Sequence, residues 1–398
     1  MRTIGVITVA RSDYGIYLPI LKKIQTDPEL NLHILVGGMH LSPEFGMTVE
    51  AIEADEFEVG ERIEMLLSSD SPEGIAKSMG LGLIGFSQAY AHKRPDILLT
   101  LGDRFEMHSA ALAALPFNIP VAHIHGGEMT QGAIDDALRH SLTKLSHLHF
   151  VSTEEYARRV IQLGEDPARV VVSGAPALDN LKTIELLDQS ELEDRCGIRF
   201  DVPPLLITFH PVTLELENTE DQIDQLLKAL TGWDIPMVFT QSNADAKGRM
   251  IAAKIAEFVA IRANAQILGN LGTQGYFSMM AIAAVMVGNS SSGIIESPSF
   301  KLPVVNIGTR QEGRLRAVNV IDVSNTKDDI ERGINQALSA KFRDSLSQLV
   351  NPYGDGMASE KIVDHLKVVE LGDQLLRKKF RDIEGLSPIG GPVANEWR

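Results

Sequence analysis

Short runs of Val, Ile and Leu alternate along this chain with longer stretches whose apolar residues recur at helical spacing, the pattern of parallel strands joined by crossover helices. In the first half the runs predict strands at residues 4–9, 32–36, 97–101, 121–124, 148–151 and 170–172. They are apolar without alternation, as expected of strands covered on both faces. The rhythm breaks across the polar stretch 181–204, which ends in Pro203-Pro204, and resumes with strands at 205–209, 237–240, 265–268, 284–287, 304–307 and 320–323. The prediction is an α/β protein of two doubly wound, Rossmann-like domains, residues 1–180 and 181–357, with the boundary near Asn180. A tail, 381–398, carries too much Gly and Pro to predict a helix. Two such units in tandem turn their strand carboxyl ends, and hence their ligand loops, toward a shared crevice.

Length and composition agree: 398 residues, 44% of them apolar, suit two cores and exclude a disordered or fibrous chain. Cys196 is the single cysteine, so neither an intramolecular disulfide nor a Cys-based zinc site can be built, which fits a reducing cytoplasm. The first nine residues lack the features of a signal peptide, and no run reaches the roughly 20 apolar residues needed to cross a bilayer. A soluble, cytoplasmic protein without a membrane partner is expected. The net charge of −16 argues against a nucleic-acid partner, so a phosphorylated ligand would need a local site working against the global charge.

Candidate chemistry gathers where predicted strands end. After the first strand comes Ala10-Arg11-Ser12-Asp13-Tyr14-Gly15, with a helical pattern from about Ile16; Arg11 beside a helix amino terminus could grip an anion, or Asp13 could simply cap an exposed turn. In the second half, Gly288-Asn289-Ser290-Ser291-Ser292-Gly293 is expected to open a helix with Glu296 one to two turns inside. Small residues would let the backbone approach a pyrophosphate, and Glu296 could accept from ribose hydroxyls. The alternative is a Ser-rich cap. The segment is neither a Walker-A nor a GxGxxG sequence.

Two further clusters are Gly102-Asp103-Arg104-Phe105-Glu106 and His123-Ile124-His125-Gly126-Gly127-Glu128, the latter followed by Asp135-Asp136 and Arg139-His140. Carboxylates beside histidines can separate one another's proton affinities and so supply an acid and a base at one pH, which makes Asp103, Glu128 and Asp135 candidates. Each could equally be a cap or salt-bridge partner. His210, just past the first strand of the second half, would point into the crevice or serve as a structural histidine. Asp103, His123 and His125 could be imagined around a metal, but no HExxH-like spacing supports it.

Taken in order, Arg11 with Asp13-Tyr14-Gly15, Gly37 and Gly38-Met39-His40, Gly102-Asp103-Arg104, His123 to Glu128, Asp135-Asp136 to His140 with Thr143-Lys144, His210-Pro211, Gly288-Asn289-Ser290-Ser291, and Gly308-Thr309-Arg310-Gln311 with Gly313-Arg314 form a highly specific set. On these motifs the chain resembles the hydrolysing UDP-N-acetylglucosamine 2-epimerases from Ile4 to about Gly356. The resemblance implies a glycosyltransferase-B-like architecture whose last helix, here residues 359–379, crosses back to the first domain. It implies release of UDP from C1 with loss of the C2 proton, giving a glycal, then addition of water at C1 and of a proton at C2 on the opposite face. No metal or redox cofactor is implied, and relatives are commonly homodimers or homotetramers.

Position by position, the resemblance makes Asp103 and Asp135 the acid/base carboxylates and His210 a cleft histidine near the phosphates. It makes Arg11, Arg104, Ser290, Ser291 and Arg310 diphosphate contacts, within a cradle that includes Ser292 and Gly293; Glu296 becomes the ribose contact and Asn243 a further nucleotide-side residue. The chain departs from some relatives in having His125 where they carry a glutamate, so either His125 or Glu128 is expected to take over that proton transfer, with His125, close to the sugar, favoured. The expected substrate is UDP-N-acetylglucosamine, of sialic-type pathways. The alternative within the family is UDP-2,4-diacetamido-2,4,6-trideoxyglucose, of legionaminic-type pathways; outside it, the alternatives are a UDP-sugar glycosyltransferase or a silent nucleotide-sugar sensor. The chemistry suits the residue types: no carbonyl acidifies the C2 hydrogen, so UDP departure must lead, and a carboxylate-rich pocket beside an Arg-rich grip favours that order.

Overall fold

The computed structural model describes residues 1–67, 71–129, 134–197, 199–240, 247–269 and 271–382. Seven parallel strands form the first sheet: β1 (Arg2–Thr8), β2 (Leu30–Gly37), β3 (Val59–Ile63), β4 (Ile97–Leu101), β5 (Val121–Ile124), β6 (Leu148–Val151) and β7 (Val170–Val172). Six more form the second: β8 (Leu205–Thr208), β9 (Met237–Thr240), β10 (Ala265–Leu268), β11 (Val285–Gly288), β12 (Val304–Ile307) and β13 (Val320–Val323). The orders are β3-β2-β1-β4-β5-β6-β7 and β10-β9-β8-β11-β12-β13, a two-domain α/β fold. The apolar runs read from the sequence are all strands, and Ile4, Val6, Ile97, Leu98, Val285 and Val287 are fully buried at the sheet centres.

Strand order reverses between β1 and β4 in one sheet and between β8 and β11 in the other. At such a switch the following loops part to opposite faces and leave a crevice beyond the strand carboxyl ends. The candidate groups Arg11, Asp103 and Arg104 follow β1 and β4, and His210 and Ser290 follow β8 and β11.

Three expectations need correction. The helix after β1 spans Arg11–Thr26 rather than starting near Ile16, because Asp13 in its first turn accepts from the amides of Val9 and Ala10 at 2.9 and 3.0 Å and so starts the helix early. β3 was not foreseen; Gly60, Glu61 and Arg62 give it a polar sequence, and it is an edge strand. The helix expected over 359–379 is Ala358–Val368, followed by a separate turn Asp373–Leu376. Arg2 caps the carbonyls of Leu366, Lys367 and Val369, and Gly372 turns the chain at φ 135°.

The two halves are tied through this segment. Asp179 caps it by accepting from the amides of Ala358 and Ser359, while Ile362, Val363 and Leu366 are buried in the core of the first sheet. The polar stretch between β7 and β8 holds a short helix, Gln189–Cys196, opened by a reciprocal Asp188–Glu191 capping box. Most of the tail, 383–398, lies outside the described residues. Among the described residues no helix is long and apolar enough to cross a membrane.

Candidate active site

The turn between β1 and its helix is built around Asp13, which is 3% exposed. Besides the two amides it accepts from Thr8 Oγ1 at 2.9 Å, and Thr8 in turn meets buried His40 Nε2 at 2.9 Å. Asp13 therefore caps the helix, as one reading of the sequence had it, but from a buried position rather than an exposed turn. Arg11 stands exposed at the first helical position. Across the turn Arg104 directs its guanidinium at Glu106, with Nη2 at 3.1 Å from Oε1, and touches Met39 Sδ at 3.5 Å. Gly38 permits this packing: at φ +56° a Cβ there would stand 3.0 Å from both Glu106 Oε1 and the Val9 carbonyl.

The second cluster is organised by Arg139, buried on the helix Ile134–Leu145. Its Nη1 donates to the His125 carbonyl at 2.8 Å, its Nη2 pairs with Asp103 Oδ2, and Glu128 Oε2 lies 4.0 Å away. Asp135 is four residues earlier on the same helix, hence on the same face. The Asp103 side chain keeps 23% exposure, so an ion-paired carboxylate remains reachable from the crevice.

His125 has a left-handed backbone, φ +65°, fixed by donation of its amide to the Phe150 carbonyl at 3.0 Å. Its Nδ1 lies 2.5 Å from Glu128 Oε1 and 2.8 Å from Ser152 Oγ. Burial alone would raise the Glu128 carboxyl, but His125, Arg314 and Arg139 outweigh it and hold the group well below the usual carboxylate range. Buried His123 donates from Nε2 to the Gly102 carbonyl at 2.8 Å, steadying the turn that carries Asp103; burial pushes its imidazole down to about 3. His123 is thus a neutral strut, and among the described residues no three His, Cys, Asp or Glu side chains are grouped to hold a metal ion.

On the second sheet the loops after β8 and β11 are stapled together. The His210 amide donates to Asn289 Oδ1 at 2.7 Å and Asn289 Nδ2 donates to the His210 carbonyl at 2.8 Å. Gly288, at φ +136°, makes the close approach possible, since a Cβ would fall 1.8 Å from the Thr208 carbonyl oxygen. Arg310 Nη1 and Gln311 Nε2 both donate to the Asn289 carbonyl, at 3.0 and 2.9 Å. Burial and the neighbouring Arg310 charge push the His210 imidazole down to about 3, which makes it a buried, neutral hydrogen-bonding group.

The helix expected after Ser291 is a single turn, Ser292–Ile295, and Glu296 closes it instead of lying within it. Pro298, two residues on, has no amide hydrogen with which to extend the α-helical ladder, and a 3-10 turn takes over at Ser297–Phe300. Burial pushes the Glu296 carboxyl up to about 7, and its Oε2 is buried without a hydrogen-bond partner among the described residues. Asn243 lies outside the described residues.

Sequence reasoning missed several participants. Ser152 gave no signal at all. Tyr276, whose hydroxyl meets those of Ser292, Thr208 and Ser290, sat in an ordinary helical pattern. Arg314 was visible only as a motif member; it reaches across from the second half to Glu128 Oε2 at 3.5 Å. Beside it Tyr156 and Tyr353 join hydroxyls at 2.9 Å, Tyr156 accepts from the Leu315 amide and Tyr353 donates to the Leu315 carbonyl.

The family model described as UDP-N-acetylglucosamine 2-epimerase matches residues 22–367. Over 385 residues, 96% of this chain and 99% of the relative, the sequence is 42% identical to the GDP/UDP-N,N'-diacetylbacillosamine 2-epimerase (hydrolyzing) of Campylobacter jejuni. Over 379 residues, 95% of this chain and 99% of the relative, it is 38% identical to the UDP-N,N'-diacetylbacillosamine 2-epimerase (hydrolyzing) of Legionella pneumophila. The fold superposes on the crystal structure of the UDP-GlcNAc 2-epimerase from Neisseria meningitidis bound to UDP-GlcNAc with a TM-score of 0.80 at 19% identity, covering 92% of this chain and 99% of that one.

Proposed function

The chain belongs to the UDP-N-acetylglucosamine 2-epimerase family, and from that premise we propose that it hydrolyses UDP-N,N'-diacetylbacillosamine with inversion at C2, giving UDP and the free 2-epimeric sugar. The observation that carries the reading is the near full-length identity to two hydrolysing enzymes named for that substrate. It reverses the order of substrates expected from sequence, since this nucleotide sugar is the 2,4-diacetamido-2,4,6-trideoxy alternative. Incubation with each UDP-sugar and no acceptor should release UDP and free sugar, with kcat/KM at least about tenfold higher for the diacetamido substrate than for UDP-N-acetylglucosamine. Preference for the latter would reverse the substrate assignment, and a requirement for an acceptor would point to a glycosyltransferase.

The site supports a division of labour. Arg11 and Arg310, with Ser290, Ser291, Ser292, the Gly293 backbone and neutral His210, hold the diphosphate as negative charge develops on it; Arg104, largely committed to Glu106, shapes the same edge; and Asn243 joins the nucleotide side. Asp103, aimed by Arg139, and Asp135, one helical turn from that arginine, exchange protons at the sugar. With UDP gone and the C2 proton taken, the glycal accepts hydroxide from water at C1 and a proton at C2 on the other face. Glu128, anionic and surrounded by donors, is poorly placed to carry protons. It orients His125 instead, which engages Glu128 through Nδ1 and so exchanges protons through Nε2. His125 is accordingly the residue that takes over from the relatives' glutamate.

Ribose hydroxyls donate to a carboxylate, so binding through Glu296 favours its anionic form. Because burial holds that carboxyl at about 7, UDP should bind more tightly at pH 8 than at pH 6, by up to about tenfold. Calorimetry of Glu296→Gln should show this part of the pH dependence gone and affinity lowered by about 1–3 kcal/mol at pH 8. An unchanged profile in the variant would remove Glu296 from the ribose site.

A further inference from the structure

We propose that Lys378 is a positioning residue for the reaction: its ammonium caps the carboxyl end of the helix Ile134–Leu145 and so fixes where Arg139, on that helix, aims Asp103; this rests on the reading of Asp103 as a proton-transfer group. Lys378 lies beyond the turn Asp373–Leu376, in a segment bound to the first domain. Arg169 Nη1 donates to the Leu375 carbonyl at 2.8 Å, the Arg381 amide donates to the Gly164 carbonyl at 3.0 Å, and the Lys144 ammonium stands 5.0 Å from the centre of the Phe380 ring. Between these ties Lys378 Nζ donates to the Lys144 carbonyl at 2.7 Å, to the Ser146 carbonyl and to Glu165 Oε1 at 3.0 Å, with the Thr143 carbonyl 3.5 Å away.

The last carbonyls of a helix have no partner within it and carry the negative end of its dipole, so a cation is well placed there. This cation is set against a buried anion, Glu165, whose side chain is 1% exposed. Burial alone would raise the Glu165 carboxyl, but hydrogen bonds from His149, Lys144 and Lys378 outweigh it and bring it down to about 2. Docking a chain segment needs no such arrangement, since apolar side chains would serve with less desolvation. From the capped end two routes run to Asp103. Along the helix, the Thr143 hydroxyl donates to the Arg139 carbonyl at 3.1 Å, and Arg139 pairs with Asp103. Away from it, the same hydroxyl lies 3.3 Å from His123 Nδ1, and His123 holds the Gly102 carbonyl beside Asp103. A hydrogen-bonded helix is stiff, so slack at one end is felt along it, and a misplacement of about 1 Å can cost on the order of a hundredfold in rate.

The test uses the full chain, with kcat and KM for UDP release from UDP-N,N'-diacetylbacillosamine, UDP calorimetry, and urea midpoints to set a temperature at which each variant is folded. Lys378→Met keeps the length of the side chain but removes the cation, and should lower kcat by at least about tenfold with KM and UDP affinity within about twofold of wild type. Lys378→Gln retains N–H donors and should show the same split at smaller size, at least about threefold in kcat, even if the Met chain does not fold. In an Asp103→Asn background either substitution should cost at least about threefold less than it does alone, because its effect runs through the aim of that carboxylate. A lowered urea midpoint with unchanged kcat would mean that Lys378 only docks the segment, and parallel loss of kcat and UDP affinity would mean a general defect. Fully multiplicative losses with Asp103→Asn would mean that Lys378 acts elsewhere; each of these three results overturns the proposal. An Asp103→Asn chain as fast as wild type would instead retract the assignment of Asp103, and this proposal with it.

Discussion

Asp103→Asn and Asp135→Asn should each lower kcat by at least about a hundredfold while changing UDP affinity by no more than about twofold. Inversion at C2 needs one group to remove a proton from one face and another to deliver a proton to the opposite face. Asn preserves the shape of either carboxyl but supplies no basic oxygen. Asp103 offers the firmer geometry, since Arg139 fixes one of its oxygens while the side chain stays open to the crevice. Asp135 sits on the same face of the helix as that arginine. The residues proposed to grip the diphosphate, His210, Ser290 and Arg310 among them, follow β8, β11 and β12, so nucleotide binding should survive. Single-turnover rates with parallel UDP calorimetry make the comparison. A fast Asp135→Asn enzyme would transfer that role to His125, and loss of UDP binding in step with activity would show a folding defect in place of a chemical one.

Glu128→Gln should be the most destabilising conservative change in the site, by about 3–5 kcal/mol, because it leaves the buried cations of Arg139 and Arg314 without their shared anion. The pH dependence follows from the direction of the shift. The folded carboxyl keeps its charge well below the unfolded value of 4.5, so its stabilising contribution is complete above about pH 4.5 and is lost as pH falls further. Urea midpoints of wild type and variant should differ widely at pH 7 and converge in acid. Equal midpoints at pH 7 would show that the anion is dispensable to this network.

The strands were legible because a buried parallel strand needs an unbroken apolar run, and Ile97–Leu101 or Val304–Ile307 can be little else. β3 escaped because an edge strand is relieved of that need; its Gly60, Glu61 and Arg62 read as loop. The clusters around Asp103, His125 and Ser290 were legible because they follow recognisable strands, and strand ends are where an α/β sheet places ligands. What each cluster does was less visible. Sequence favoured His125 over Glu128 but gave no view of the glutamate's surroundings, because Ser152, Arg139 and Arg314 are distant in the chain and meet it only in the fold. Glu296 likewise looked like a helical residue, whereas it closes a single turn and burial of its carboxyl raises its proton affinity.

Hydrolysis of UDP-N,N'-diacetylbacillosamine in heavy water, followed by proton NMR, tests the elimination route most directly. Elimination removes the C2 hydrogen before water adds, and the replacement proton comes from a group equilibrated with solvent. The released sugar should therefore carry deuterium at C2 in the inverted configuration, while unreacted substrate keeps its hydrogen. A sugar released with its original hydrogen at C2, configuration retained, would contradict a 2-epimerase acting through a glycal and leave simple glycosidic hydrolysis in its place.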